Sequence, residues 1–171
     1  MQSILKSIAL VALLATPAAL PARADTFAAP TGDVILTLEG ALTQHNADGT
    51  LQLDQAMLEA LPQTSFTTST SWTSGTPTFQ GVLLKDLIAA VGATGKTLTL
   101  KAVNDYSITI PMADAGDEAP LLAYLMDGKP MSLRDKGPVW LVYPYDSSEI
   151  YRTEEIYARS VWQLVEIEFA E

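Results

Sequence analysis

The feature that most constrains this chain is a stretch of period-two hydrophobicity folded back on itself. "TLTLKAV" (97–103) and "YSITIP" (106–111) each alternate apolar with polar residues, and Asn104-Asp105 separates them. Successive side chains of a strand point to opposite faces, so the alternation gives one apolar and one wet face. Asn and Asp tolerate left-handed backbone, which makes the pair between the two runs a hairpin turn. A chain built around such a hairpin forms antiparallel sheet.

The flanking segments supply the rest of that sheet and a few short helices. "DVILTLEG" (33–40) alternates through Val34, Leu36 and Leu38 and reads as a strand, followed by a turn at "HNADGT". In "LDQAMLEALP" (53–62) Asp54 is an N-cap, Met57, Leu58 and Leu61 form an apolar stripe, and Pro62 ends a short helix. In "TFQGVLLKDLIAAVGA", Leu83, Leu84, Leu87, Ile88 and Val91 recur at helical spacing until Gly92 stops the helix. "MADAGDEAP" reads as an acidic loop, and "LLAYLMDGKPM" (121–131) as an apolar run with a turn at Asp127-Gly128. "GPVWLVYP" (137–144), continuously apolar and short, reads as a fully buried strand. A polar, tyrosine-rich, partly helical connection then leads to the alternating "VWQLVEIEF" (161–169). Strands outnumber helices, so the fold class is α+β with mainly antiparallel sheet.

Residues 1–24 stand apart from this pattern. Lys6 precedes an apolar run from Ile8 to Ala15, two prolines follow, and Ala22-Arg23-Ala24 is a small-x-small cleavage pattern. The run is far short of the roughly 20 residues a membrane span needs. It reads as a signal peptide, leaving residues 25–171 as a single secreted domain in the periplasm. Removing Lys6 and Arg23 leaves 8 basic against 20 acidic residues, a net charge of −12. Acidity of that degree argues against nucleic acid or an anionic membrane surface as partner.

The chain contains no cysteine and one histidine, His45, in a turn. This excludes a thiol nucleophile, any thiolate-bound metal and a multi-histidine site. Against that poverty stands "TSFTTSTSWTSG" (64–75), in which nine of twelve residues are Ser or Thr. Such density belongs to linkers, to strands of β-branched Thr, or to the wall of a binding site.

From Phe79 onward, five segments follow one another in a familiar order: "FQGVLLKDLI", "NDYSITIP", "LLAYLMDGKPM", "GPVWLVYP" and "SVWQLVEIE". Together they resemble the sulfite-oxidase fold, the molybdopterin-binding oxidoreductase domain, over roughly residues 33–169. In catalytic members a cysteine thiolate binds molybdenum, and its place here falls near Thr68. A hydroxyl does not replace that soft ligand. Where the family reads "SVKWL", with a lysine that helps hold the anionic cofactor, this chain reads "SVWQL", with Trp162 in place of the charge. The combination is similar to a branch of secreted, cysteine-less, single-domain proteins. That resemblance implies a reduced, non-metallated pterin as ligand, no molybdenum and no catalysis. It further implies regulation of a membrane cyclic-di-GMP cyclase/phosphodiesterase (a GGDEF/EAL signalling protein). The competing reading is a molybdopterin-dependent oxidoreductase subunit without the cysteine ligand.

The residues can be read against a pterin's needs: a flat apolar partner, acceptors for its amino edge and donors for its oxo group. Trp72 reads as a stacking partner or a core tryptophan, and its hydroxylated neighbours favour the site. Thr70 and Thr73 are either ligand-facing or solvent-facing hydroxyls. Asp105 is the carboxylate for the amino edge or a plain turn aspartate, with Asn104 beside it and Tyr106 at the edge of the core. Arg159 meets the ring's oxo group, pairs with Asp105, or forms a surface bridge to Glu155. Tyr143, with Tyr145, Tyr151 and Trp162, forms an aromatic wall or ordinary packing.

Overall fold

The structure, a computed structural model, describes residues 27–115 and 119–171. The leader read at residues 1–24 and the centre of the acidic loop lie outside them.

Among the described residues, ten strands form two sheets. β1 (Leu36–Gly40), β2 (Leu51–Leu53), β5 (Thr97–Ala102), β6 (Ser107–Pro111) and β10 (Leu164–Ala170) make the first, in the order β2-β1-β10-β5-β6. β3 (Gln63–Thr67), β4 (Thr78–Leu83), β7 (Leu121–Met126) and β8 (Lys129–Pro130) follow one another in the second, and β9 (Trp140–Val142) pairs with the other end of β7. The central hairpin is β5–β6, with Thr99 opposite Thr109 and Leu98 opposite Ile110. The pairings are antiparallel except one: β10 runs parallel to β1, Leu38 facing Ile167. The buried side chains of both sheets form one continuous core, with Trp140, Tyr124, Phe79 and Phe169 its largest members.

The helices are short. α1 (Gln55–Glu59) starts at Asp54, whose Oδ1 accepts from the Met57 N–H at 2.9 Å; Leu58 is its buried anchor. α2 (Leu84–Val91) ends at Gly92 with φ 60°, the left-handed stop that glycine adopts freely. α3 (Glu154–Arg159) is capped by Thr153.

Three readings of the sequence need correction. The helical pattern from Leu83 is preceded by strand: 78–83 is β4, and Leu83 is the residue before the helix. The hydroxyl run is strand only to Thr67, and from Thr68 it becomes a loop. The closing alternation starts as strand at Leu164, because Gln163 takes φ 53° and turns the chain out of register.

Candidate functional site

Thr70 folds the hydroxyl-rich loop. Its Oγ1 accepts from the Trp72 N–H at 3.0 Å and the Thr73 N–H at 2.9 Å, and lies 2.8 Å from the Thr73 hydroxyl. Short hydroxyl side chains favour such turns because they satisfy nearby backbone donors. The loop is also stapled to the segment after β9. The Asp146 carboxylate accepts from the Ser69 N–H and hydroxyl, at 2.5 and 2.7 Å, and the Asp146 N–H donates to Thr68 Oγ1 at 3.1 Å. The Ser69 backbone N–H and then its hydroxyl hold the Asp146 carboxyl below its ordinary value.

This scaffold presents Trp72 to an aromatic cluster. Its ring meets Trp162, Tyr157, Trp140 and Tyr145 edge-on, with centroids 5.3, 5.8, 5.9 and 6.2 Å away. Edge-to-face packing suits the quadrupoles of these rings. Ser160, fully buried, locks the cluster: its Oγ accepts from Tyr145 at 2.6 Å and donates to the Ile156 carbonyl at 2.7 Å. Its carbonyl accepts from Trp140 Nε1 at 3.3 Å. Burial first of all pushes the Tyr145 phenol up to about 12, so it remains a donor at neutral pH.

Two clefts open on this cluster. The larger, about 260 Å³, is walled by Trp72, Trp162, Tyr106 and Tyr157, with Asn104 and Ser160 its polar side chains. Tyr106 closes one side by donating to the Ala158 carbonyl at 2.9 Å. The smaller, about 160 Å³, is lined by Ser69, Thr70, Ser71, Tyr145 and Tyr157, hydroxyl-bearing residues without exception. Tyr157 is common to both. Among the described residues, neither lining contains a carboxylate, lysine or arginine. Flat apolar walls with few polar groups are the design of a binding cleft.

The sequence-chosen residues divide accordingly. Trp72, Asn104 and Tyr106 line the larger cleft and Thr70 the smaller. Thr73 lies beside them with its hydroxyl committed to Thr70. Asp105 lines neither cleft; it is exposed and holds φ 64° in the hairpin turn. Arg159 does not pair with Asp105: its partners are Asp114 at 3.0 Å and Glu155, one turn back on α3. Tyr143 is buried beside Tyr145 and Tyr151, outside both linings, and among the described residues its hydroxyl has no hydrogen-bond partner. Burial, its largest influence, raises the Tyr143 phenol far above its usual range.

Sequence reasoning missed Tyr157 and Ser160, which sit in a connection whose polarity hides them. It also missed Lys136, whose ammonium lies 4.7 Å from the Trp162 ring centroid and 5.7 Å from that of Trp140.

The model of the oxidoreductase molybdopterin binding domain matches residues 36–148. The chain belongs to that family. Among solved structures, the sulfane dehydrogenase SoxCD from Paracoccus pantotrophus matches with a TM-score of 0.60 at 20% identity, over 81% of this chain and 38% of that one. At that identity the likeness shows the fold, and this chain spans well under half of the SoxCD chain. No curated protein matches the sequence. The molybdopterin-binding fold is thus shared, with its sheet-dominated architecture.

The family's cofactor joins a pterin to a metal, and the two parts fit this member differently. Thr68, near the place of the thiolate, is buried, and its hydroxyl donates to the Ser69 carbonyl at 3.3 Å while accepting from Asp146. It offers molybdenum no soft ligand, and among the described residues no three His, Cys, Asp or Glu side chains cluster as metal ligands. The aromatic cleft, by contrast, suits the flat bicycle of a pterin. Tyr157, Ser160 and Trp162, which complete the cleft, lie past the matched span.

Proposed function

We propose that this protein binds a free, reduced pterin in the aromatic cleft and performs no metal-dependent redox chemistry. One observation carries the reading. Four aromatic rings frame a cleft of about 260 Å³, while a hydrogen-bonded threonine stands near the place that the family resemblance gives the thiolate. The ring would lie among Trp72, Trp162, Tyr106 and Tyr157, Asn104 would offer its amide to the polar edge, and hydroxyls of a ligand side chain would face the smaller cleft.

The same reading places the protein in the periplasm, exported by its leader, and gives it a signalling role. Pterin occupancy would be reported to the periplasmic domain of a membrane cyclic-di-GMP cyclase/phosphodiesterase. That reading rests on the leader pattern and on the resemblance to the cysteine-less branch. A binding-driven population shift is the physical form such a report takes.

Calorimetric titration with tetrahydropterin tests the reading. Wild-type protein is expected to bind one equivalent, and Trp72→Ala to bind at least about tenfold more weakly, which is about 1.4 kcal/mol. Undiminished affinity in Trp72→Ala with an intact fold would place the ligand elsewhere. No heat of binding for wild type would remove the pterin reading altogether.

A further inference from the structure

Lys136 occupies a place that its backbone does not favour. It ends the 3₁₀ turn Leu133–Asp135 with φ 74° and ψ 8°, a left-handed conformation in which glycine is the unstrained choice. The backbone around it is tied down: Gln163, itself left-handed, donates its N–H to the Lys136 carbonyl at 2.8 Å and its side-chain amide to the Leu133 carbonyl at 2.8 Å. The Val103 N–H then bonds the Gln163 carbonyl at 3.0 Å, which links Lys136 to the β5–β6 hairpin that lines the cleft. Non-glycine residues held in left-handed backbone persist where the surroundings over-determine them, and they gather at ligand sites.

The side chain explains what the strain secures. The ammonium stands over two indoles, 4.7 Å from the centroid of Trp162 and 5.7 Å from that of Trp140. Among the described residues no carboxylate pairs with it. Arg159, the other cation near the cluster, is spent on Asp114 and Glu155. Lys136 is thus a cation without an acidic partner, resting on the ring that forms one wall of the cleft.

We infer that Lys136, standing beside the cleft on its Trp162 wall, is the cleft's specificity-determining cation and selects pterins that carry an anionic substituent. The inference rests on the pterin reading and adds to it the charge of the ligand. An ammonium on an aromatic face is weakly held, so its flexible stem can leave Trp162 for a carboxylate brought by the ligand.

Two probes that differ at one substituent test this: 6-carboxypterin and 6-hydroxymethylpterin, titrated in reduced form against wild type, Lys136→Met and Lys136→Arg. Wild type is expected to prefer the carboxylate by about fivefold at low salt, the upper range for a partly exposed ion pair. The preference should shrink as salt is raised. Lys136→Met should bind the two alike, with hydroxymethylpterin affinity kept within about twofold, and Lys136→Arg should restore the preference. An undiminished preference in Lys136→Met would overturn the inference while leaving the pterin reading intact. So would an equal loss of affinity for both probes together with a lowered melting temperature, which would mark Lys136 as a clamp on the indoles. If wild type bound neither probe, the pterin reading would fall, and this inference with it.

Discussion

Asp54 is buried with its carboxylate facing three backbone N–H groups. Oδ2 accepts from Thr31 at 2.8 Å and Gly32 at 2.9 Å, and Oδ1 from Met57 at 2.9 Å. These bonds, that of Gly32 first, outweigh the cost of burial and hold the carboxyl below its ordinary value of 3.8. A depressed carboxyl contributes stability that is full above its unfolded value and is lost as pH falls through its lower folded value. Asp54→Asn leaves one oxygen where two are used, and we expect it to cost about 1–3 kcal/mol at pH 7. Denaturant unfolding at stepped pH should show the gap between wild type and Asp54→Asn holding down to about pH 5 and narrowing below the ordinary aspartate value. A gap that stayed constant to pH 3 would assign the effect to shape instead of charge. The helix cap was legible in "LDQAM", because capping is local in sequence. The bonds to Thr31 and Gly32 were not, since they come from a segment more than 20 residues earlier. Asp105 illustrates the converse: as a carboxylate beside an aromatic it suggested a ligand contact, and its backbone turn alone accounts for its position.

β4 shows how an element can hide in a neighbour's pattern. Its last residues are as apolar as the helix that follows, so the helical period seemed to begin early. What marks this stretch as strand is Gly81, inside β4. The β4–β7 register shifts between Gln80 and Gly81, and a Cβ at Gly81 would stand 2.0 Å from the Leu122 carbonyl oxygen. Only glycine permits that approach of backbone to backbone. Gly81→Ala is expected to destabilise the protein by about 1–3 kcal/mol, by forcing apart β4 and β7, two largely buried strands of the second sheet. Thermal unfolding of this variant checks it, and an unchanged melting temperature would mean that the bulge relaxes freely. The final strand taught a related lesson. Its alternation was plain, but nothing in "VWQL" marks a left-handed glutamine, and it is Gln163 that turns the chain between the cleft wall and β10.

Across the whole molecule, hairpins were readable and long-range closure was not. The parallel pairing of β10 with β1 joins strands at opposite ends of the chain, and no local period encodes it. The cleft has the same character. Trp72, the β5–β6 turn and the α3–β10 connection come to the cleft from widely separated parts of the chain. Sequence could nominate Trp72, Asn104 and Tyr106 singly, and could not say that Tyr157 and Ser160 complete the group. The absence of cysteine, in contrast, was decisive at once, because no folding restores a thiolate. The proposed function makes one central claim: the family's cofactor site serves here as an organic-ring site without its metal. Native mass spectrometry of the protein purified from its natural source tests that claim most directly. The account predicts the chain carrying one pterin-sized organic adduct with no molybdenum isotope pattern; a stoichiometric molybdenum-bearing adduct would contradict it.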